Sequence, residues 1–172
     1  LERQPVSLPT LRDNLLQPPP PHRLLEAVRS LQRRSLLEIV GDGFTLQNVV
    51  MEYVTEQLVE AVCADLINFD KVHGDDALRP LRDHPVTQSI FNRHALLNAQ
   101  AKEAVRLSQA RLILQPIVER LQREVGASAL VERFQQMLVD LRRQRREVAV
   151  VAGYAAGNIL NLLLHTGAPE MA

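Results

Sequence analysis

The sequence has no tryptophan, and aromatic residues make up only 3% of its 172 positions. A core must therefore come from Leu, Val, Ile and Ala, which pack on helical stripes, and an aromatic-rich sandwich or barrel is not expected. Cys63 is the sole cysteine. That excludes an intramolecular disulfide and a thiolate cluster for zinc, and it fits a reducing cytoplasm. Net charge is missing too, because 20 Lys and Arg balance 20 Asp and Glu. The chain thus lacks the long-range field with which nucleic-acid and anionic-membrane binders gather their partners.

Catalytic signatures are equally scarce. The five histidines are scattered and never stand at the four-residue spacing of a helical metal pair. There is no nucleophile elbow, Walker phosphate loop or dinucleotide glycine pattern. An enzyme with its own active site, and a metal site, are therefore not expected here. Residues 148–164 follow the basic run Arg142, Arg143, Arg145 and Arg146 like a membrane span behind a positive flank. The stretch falls short of the ~20 residues a span needs, and Asn158 and Asn161 would be costly in hydrocarbon. A buried helix, packed closely at Gly153 and Gly157, is expected instead.

What is present reads as helices around one hairpin. Ser7 is placed to cap a short helix over residues 8–15, and the proline run 18–21 forms a rigid loop. In residues 22–34, Leu24, Leu25, Val28 and Leu31 recur at helical spacing, and Arg23, Arg29, Arg33 and Arg34 take the other face. Residues 36–40 and 44–46 flank Gly41-Asp42-Gly43, whose glycines suit the positive φ values of a tight hairpin. Asn48 is placed to cap a long helix to about Phe69. Residues 70–85 mix Gly, Asp and Pro as a loop does. Helices fill 86–126 and 127–165, with Pro116 kinking or splitting one helix and Gly126 ending the next.

The expected fold class is mainly α: a partial winged helix with a small β-hairpin wing, followed by an α-helical bundle or arm. Its parts are a partial winged helix over 1–50, a connecting helix over 51–70, a flexible loop over 71–85 and a helical arm over 86–172. The chain opens on Leu1, Glu2, Arg3 and Gln4 rather than on Met or a secretory leader, as a piece of a longer protein does.

The run from Phe44 to Val54 (Phe-Thr-Leu-Gln-Asn-Val-Val-Met-Glu-Tyr-Val) sits where a wing strand turns into a long helix, and it resembles the winged-helix domain of NB-ARC ATPases. That family includes apoptotic protease-activating factors and plant immune receptors. Better-known members carry Met-His-Asp at this corner, and the histidine contacts the phosphates of ADP in the closed state. The matching positions here are Leu46, Gln47 and Asn48. Gln47 can donate a neutral amide hydrogen bond to phosphate but cannot become a cation; capping of the helix that starts there is the other role open to Gln47 and Asn48.

A more specific resemblance is to bacterial NB-ARC proteins with WD or related repeats. It runs through Pro5 to Leu8, Ser30 to Leu36, the corner, His94 to Lys102, Gln109 to Ile117 and Gly153 to Leu163, nearly the whole chain in shared order. The resemblance implies a non-catalytic regulatory connector of a nucleotide-switched signal-transduction ATPase of the STAND class, joining the nucleotide-binding core to C-terminal sensor repeats. It implies ADP or ATP in the parent protein and no cofactor in this region. The implied partners are the adjoining ATPase core and repeats, with a homo-oligomer on activation. Gln47 and Asn48 are the candidate nucleotide-sensing residues. The alternative is a winged-helix transcriptional regulator that reads DNA through residues 24–34; the neutral charge, with Glu38 and Asp42 in the wing, weighs against it.

Overall fold

The computed structural model describes residues 5–15, 18–71, 90–147 and 153–167. Among these residues the chain is mainly helical, with one two-stranded antiparallel sheet. It divides into two compact units, Leu1–Glu56 and Gln57–Ala172.

Unit 1 begins with α1, Leu8–Asp13, whose entry is set by Ser7: the hydroxyl accepts the Thr10 N–H at 3.3 Å. The prolines that break the chain also start the next helix. Pro21 is the first residue of α2, Pro21–Arg33, one position earlier than the apolar spacing suggests. A proline is tolerated there because the first turn has no acceptor for its missing N–H. The helix closes with a Schellman motif in which Leu36 N–H donates to the Leu31 carbonyl at 3.1 Å and Ser35 N–H to the Gln32 carbonyl at 2.9 Å. Ser35 takes the left-handed position, at φ 56°, that glycine usually fills.

Strands β1, Leu37–Val40, and β2, Gly43–Leu46, pair with Val40 opposite Gly43. The two-residue connection has Gly41 at φ +59° while Asp42 keeps a negative φ, the sign pattern of a type II′ turn. Gly43 has a different role from the one expected. Its φ is not positive, and a Cβ there would lie 3.0 Å from the Pro5 Cβ. The bare position lets the chain at Pro5 and Val6 lie against the hairpin. Val6 and Phe44 exchange both backbone hydrogen bonds, at 2.9 and 3.0 Å, adding a one-residue third strand that local pattern did not reveal.

From the hairpin the chain enters α3, Asn48–Lys71, which runs from unit 1 into unit 2. In unit 2 its Val62, Cys63 and Leu66 are buried. Beyond Lys71, the loop expected up to residue 85 lies outside the described residues. The next elements are α4 (Ile90–Arg93), α5 (Glu103–Gln109), α6 (Gln115–Val125), α7 (Ala127–Glu147) and α8 (Ala155–His165). Residues 94–102, expected within a helix, form turns instead.

The α-helix is interrupted just before Pro116. A π-helical segment, Ala110–Leu114, joins α5 to α6, and Gln115 N–H donates to the Ala110 carbonyl, five residues back. The widened turn accommodates the proline, which has no N–H and whose ring crowds the carbonyl four residues earlier. Gly126, at φ +86°, ends α6, and its carbonyl accepts the Leu130 N–H of α7 at 3.1 Å.

The core of unit 2 is aliphatic with a few aromatic rings. Ile117 and Leu121 of α6, Leu130 and Phe134 of α7, and Ile159 and Leu162 of α8 are fully enclosed. Cys63 lies among them in the core and is free. Burial, with a smaller contribution from Glu124 set against Arg120, pushes its thiol from 9.0 up to about 11. Because the folded state holds this proton more tightly than the unfolded chain, unit 2 is expected to lose stability as pH rises between about 9 and 11. Thermal unfolding of the wild type against Cys63→Ala checks this: the alanine variant should lack that part of the alkaline decline.

Candidate functional site at the strand-to-helix corner

The corner is built by the end of β2 running without a loop into α3. Gln47 is the single residue between them. Its N–H reaches back to the Leu36 carbonyl at 3.4 Å, extending the hairpin ladder by one step, while its carbonyl accepts the Met51 N–H at 2.8 Å and opens the helix. The capping position therefore belongs to Gln47, and Asn48, expected to be the cap, is the first helical residue. The backbone decides this, since Gln47 holds the first carbonyl that the helical ladder uses.

Leu46 and Gln47 are half-buried and Asn48 is exposed. Among the described residues neither side-chain amide of Gln47 or Asn48 takes a hydrogen-bond partner. What this arrangement offers chemically is two amides, each with two N–H donors, beside the first turn of a 24-residue helix whose free N–H groups and dipole favour an anion.

A second constellation, in unit 2, was not singled out as a site in the sequence. Three buried amide side chains, Asn92, Gln109 and Asn158, tie down the irregular segment after α4. Asn158 of α8 donates to the Phe91 carbonyl at 2.7 Å and the His94 carbonyl at 2.8 Å, and accepts the Leu96 N–H at 2.9 Å. Gln109 accepts the Asn98 N–H at 2.9 Å. Asn92 accepts the Ala155 N–H on its side chain at 3.2 Å and the Tyr154 N–H on its own carbonyl at 2.9 Å. Burial, and then the nearby Arg93 charge, hold the His94 imidazole below its usual range. Three separate stretches, around His94, Gln109 and Asn158, thus meet in one polar network. The signal available beforehand was three amide residues in otherwise apolar text; their distance along the chain concealed that they act together.

The glycines of the last helix are not a packing pair. Gly153 precedes α8 and abuts the Asn92 side chain, where a Cβ would overlap it, whereas Gly157 meets nothing within 4 Å. Among the described residues no helix is long and apolar enough to cross a membrane; residues 148–152 of the stretch compared with a span lie outside them. No group of three or more His, Cys, Asp or Glu that could hold a metal ion occurs among the described residues.

No family model matches the chain, and no solved structure matches it significantly. An uncharacterized WD repeat-containing protein of Nostoc sp. (strain PCC 7120) is 40% identical to it over 184 aligned positions. The alignment takes in 96% of this chain but 14% of that protein. The similarity therefore covers both units of the chain and a small part of the relative.

Proposed function

We propose that the chain is a non-catalytic connector and regulatory region of a WD repeat-containing signalling protein, and that the parent is a nucleotide-switched ATPase of the NB-ARC type. The WD-repeat relative supports the coarse part of this, since it matches nearly the whole chain within a much longer protein. The nucleotide role rests on the corner: Gln47 and Asn48 hold unengaged amides at the start of α3, where an anion is favoured. On this view ADP held by an adjoining core is bridged to unit 1 through Gln47, and exchange for ATP breaks the bridge and shifts the population to an open state. Such a protein works in the cytoplasm and draws its chemistry from the adjoining core.

The test uses the intact polypeptide. A hydrogen bond to a charged phosphate contributes roughly 1.5–3 kcal/mol, so Gln47→Ala is expected to weaken ADP binding by about tenfold or more. Gln47→His restores a donor that can also carry charge, so it should bind ADP at least as tightly as wild type. Equal ADP affinity in all three proteins by calorimetry would remove the nucleotide role.

The exposed arginines Arg23, Arg29 and Arg33 on α2, with Arg34 just after it, favour one rival, DNA reading by a winged helix. It requires salt-dependent retention on heparin and a DNA shift at low salt; absence of both discards it.

A further inference from the structure

Helix α3 changes character part-way along its length. Met51 is buried in unit 1, and Val62, Cys63 and Leu66 are buried in unit 2. Between these anchors, from Glu52 to Ala61, none of the ten residues is buried. The division between the two units, after Glu56, falls inside this stretch. A helix of about ten residues is marginal in water by itself, so the anchored turns on either side must sustain its helicity.

The charge pattern weakens the stretch further. Glu52, Glu56 and Glu60 are exposed and stand four residues apart on one face. Like charges at this spacing disfavour a helix about as much as an opposite pair favours it. No Lys, Arg or His occurs in α3 before its last residue, Lys71. Among the described residues Glu52 and Glu56 make neither an ion pair nor a hydrogen bond, and Glu60 accepts from Gln57 Nε2 at 3.3 Å. Helices α2 and α6 differ, since they mix both signs: Glu26 stands three residues from Arg23 and from Arg29, and Glu119 precedes Arg123 by four. Val54, Thr55 and Val59 add β-branched side chains that lose rotamer freedom in a helix. Thr55 Oγ1 also donates to the Met51 carbonyl at 2.6 Å, a bond of the kind that slightly destabilises and bends helices.

We infer that residues 52–61 are a joint in α3, which opens from helix to coil while the cores of both units stay folded. Closed, the joint passes twist and bending along the helix axis; open, it passes neither. Its cause is an acidic ladder without cations acting on a stretch that neither core supports. Exposure alone is not enough, because most of α2 is exposed as well but sets opposite charges beside each other. The inference goes beyond the connector reading and requires neither the Gln47 contact nor a nucleotide.

Hydrogen exchange of the intact polypeptide at one fixed pH, followed by mass spectrometry, tests it. Relative to their unstructured rates, the amides of residues 56–61 are expected to exchange about tenfold or more faster than those of 63–66. Glu56→Lys turns two repulsive pairs into two attractive ones, so it should slow exchange in 56–61 by about fivefold and leave 63–66 unchanged. Glu56→Gln removes the repulsion without supplying attraction and should fall between the two. Equal protection of the two stretches in the wild type overturns the inference, whatever covers the helix. So does exchange in 56–61 that ignores both substitutions, because the ladder then does not govern the opening. A change of equal size in 63–66 overturns it too, since α3 would then open as one piece.

Discussion

Replacing Asn158 by leucine is expected to lower the stability of unit 2 by about 3–5 kcal/mol, far more than a change between side chains of similar size normally does. The amide closes three hydrogen bonds at once, to the carbonyls of Phe91 and His94 and the N–H of Leu96. Leucine would leave all three backbone groups without a partner in a site where Asn158 itself is 2% exposed. An unpaired buried group of this kind costs about 1–3 kcal/mol, and some relaxation toward water keeps the sum below the maximum. Hydrogen exchange at Leu96, together with urea unfolding, reads the effect; a loss under about 1 kcal/mol would mean that Asn158 does not hold the segment.

Asn158→Asp separates the donor role from the acceptor role. A carboxylate can still accept from Leu96 but cannot donate to either carbonyl, and it places a charge in a buried site. Burial raises the pKa of such a carboxyl in the folded state, so the variant should be more stable in acid and weaken as pH rises through that value. The wild type has no titrating group at this position and should not share that slope.

The second large effect is expected at Gly153. A side chain there would run into the Asn92 side-chain amide, whose Oδ1 accepts the Ala155 N–H, while the Asn92 main-chain carbonyl accepts the Tyr154 N–H. The Asn92 side chain cannot swing away without giving up the bond that its Oδ1 accepts from the Ala155 N–H at the start of α8. Gly153→Val should therefore destabilise unit 2 by about 3 kcal/mol, at the upper end of what overpacking costs. Gly157→Ala supplies the opposite sign: its Cβ meets nothing within 4 Å, so the variant should gain up to about 1 kcal/mol from helix propensity. If both substitutions changed the melting temperature alike, the close approach of Gly153 to Asn92 would not be governing the result.

Much of the element order was legible because it depends on near neighbours in the chain. Ser7 begins α1, the apolar spacing of Leu24, Val28 and Leu31 gives α2, and Gly41 turns the hairpin where φ must be positive. The corner at Gln47 was legible for the same reason, since strand alternation gives way to helical spacing at that residue. Its cap was misassigned by one position because Asn is the better capping side chain, and only the Gln47 carbonyl bond to Met51 decides which residue opens the ladder.

Composition and periodicity by themselves determined that this protein is mainly helical, with one hairpin and an aliphatic core, because those properties follow from propensity and from spacing within a few residues. Only the tertiary structure decided that Val6 joins the hairpin, that residues 94–102 leave the helix, and that Asn158 lies 64 residues beyond the carbonyl it holds at His94. The physical reason is shared by all three. A hydrogen bond between distant parts of a chain depends on where packing brings them, and a buried amide shows its purpose only when the backbone groups it satisfies are in place.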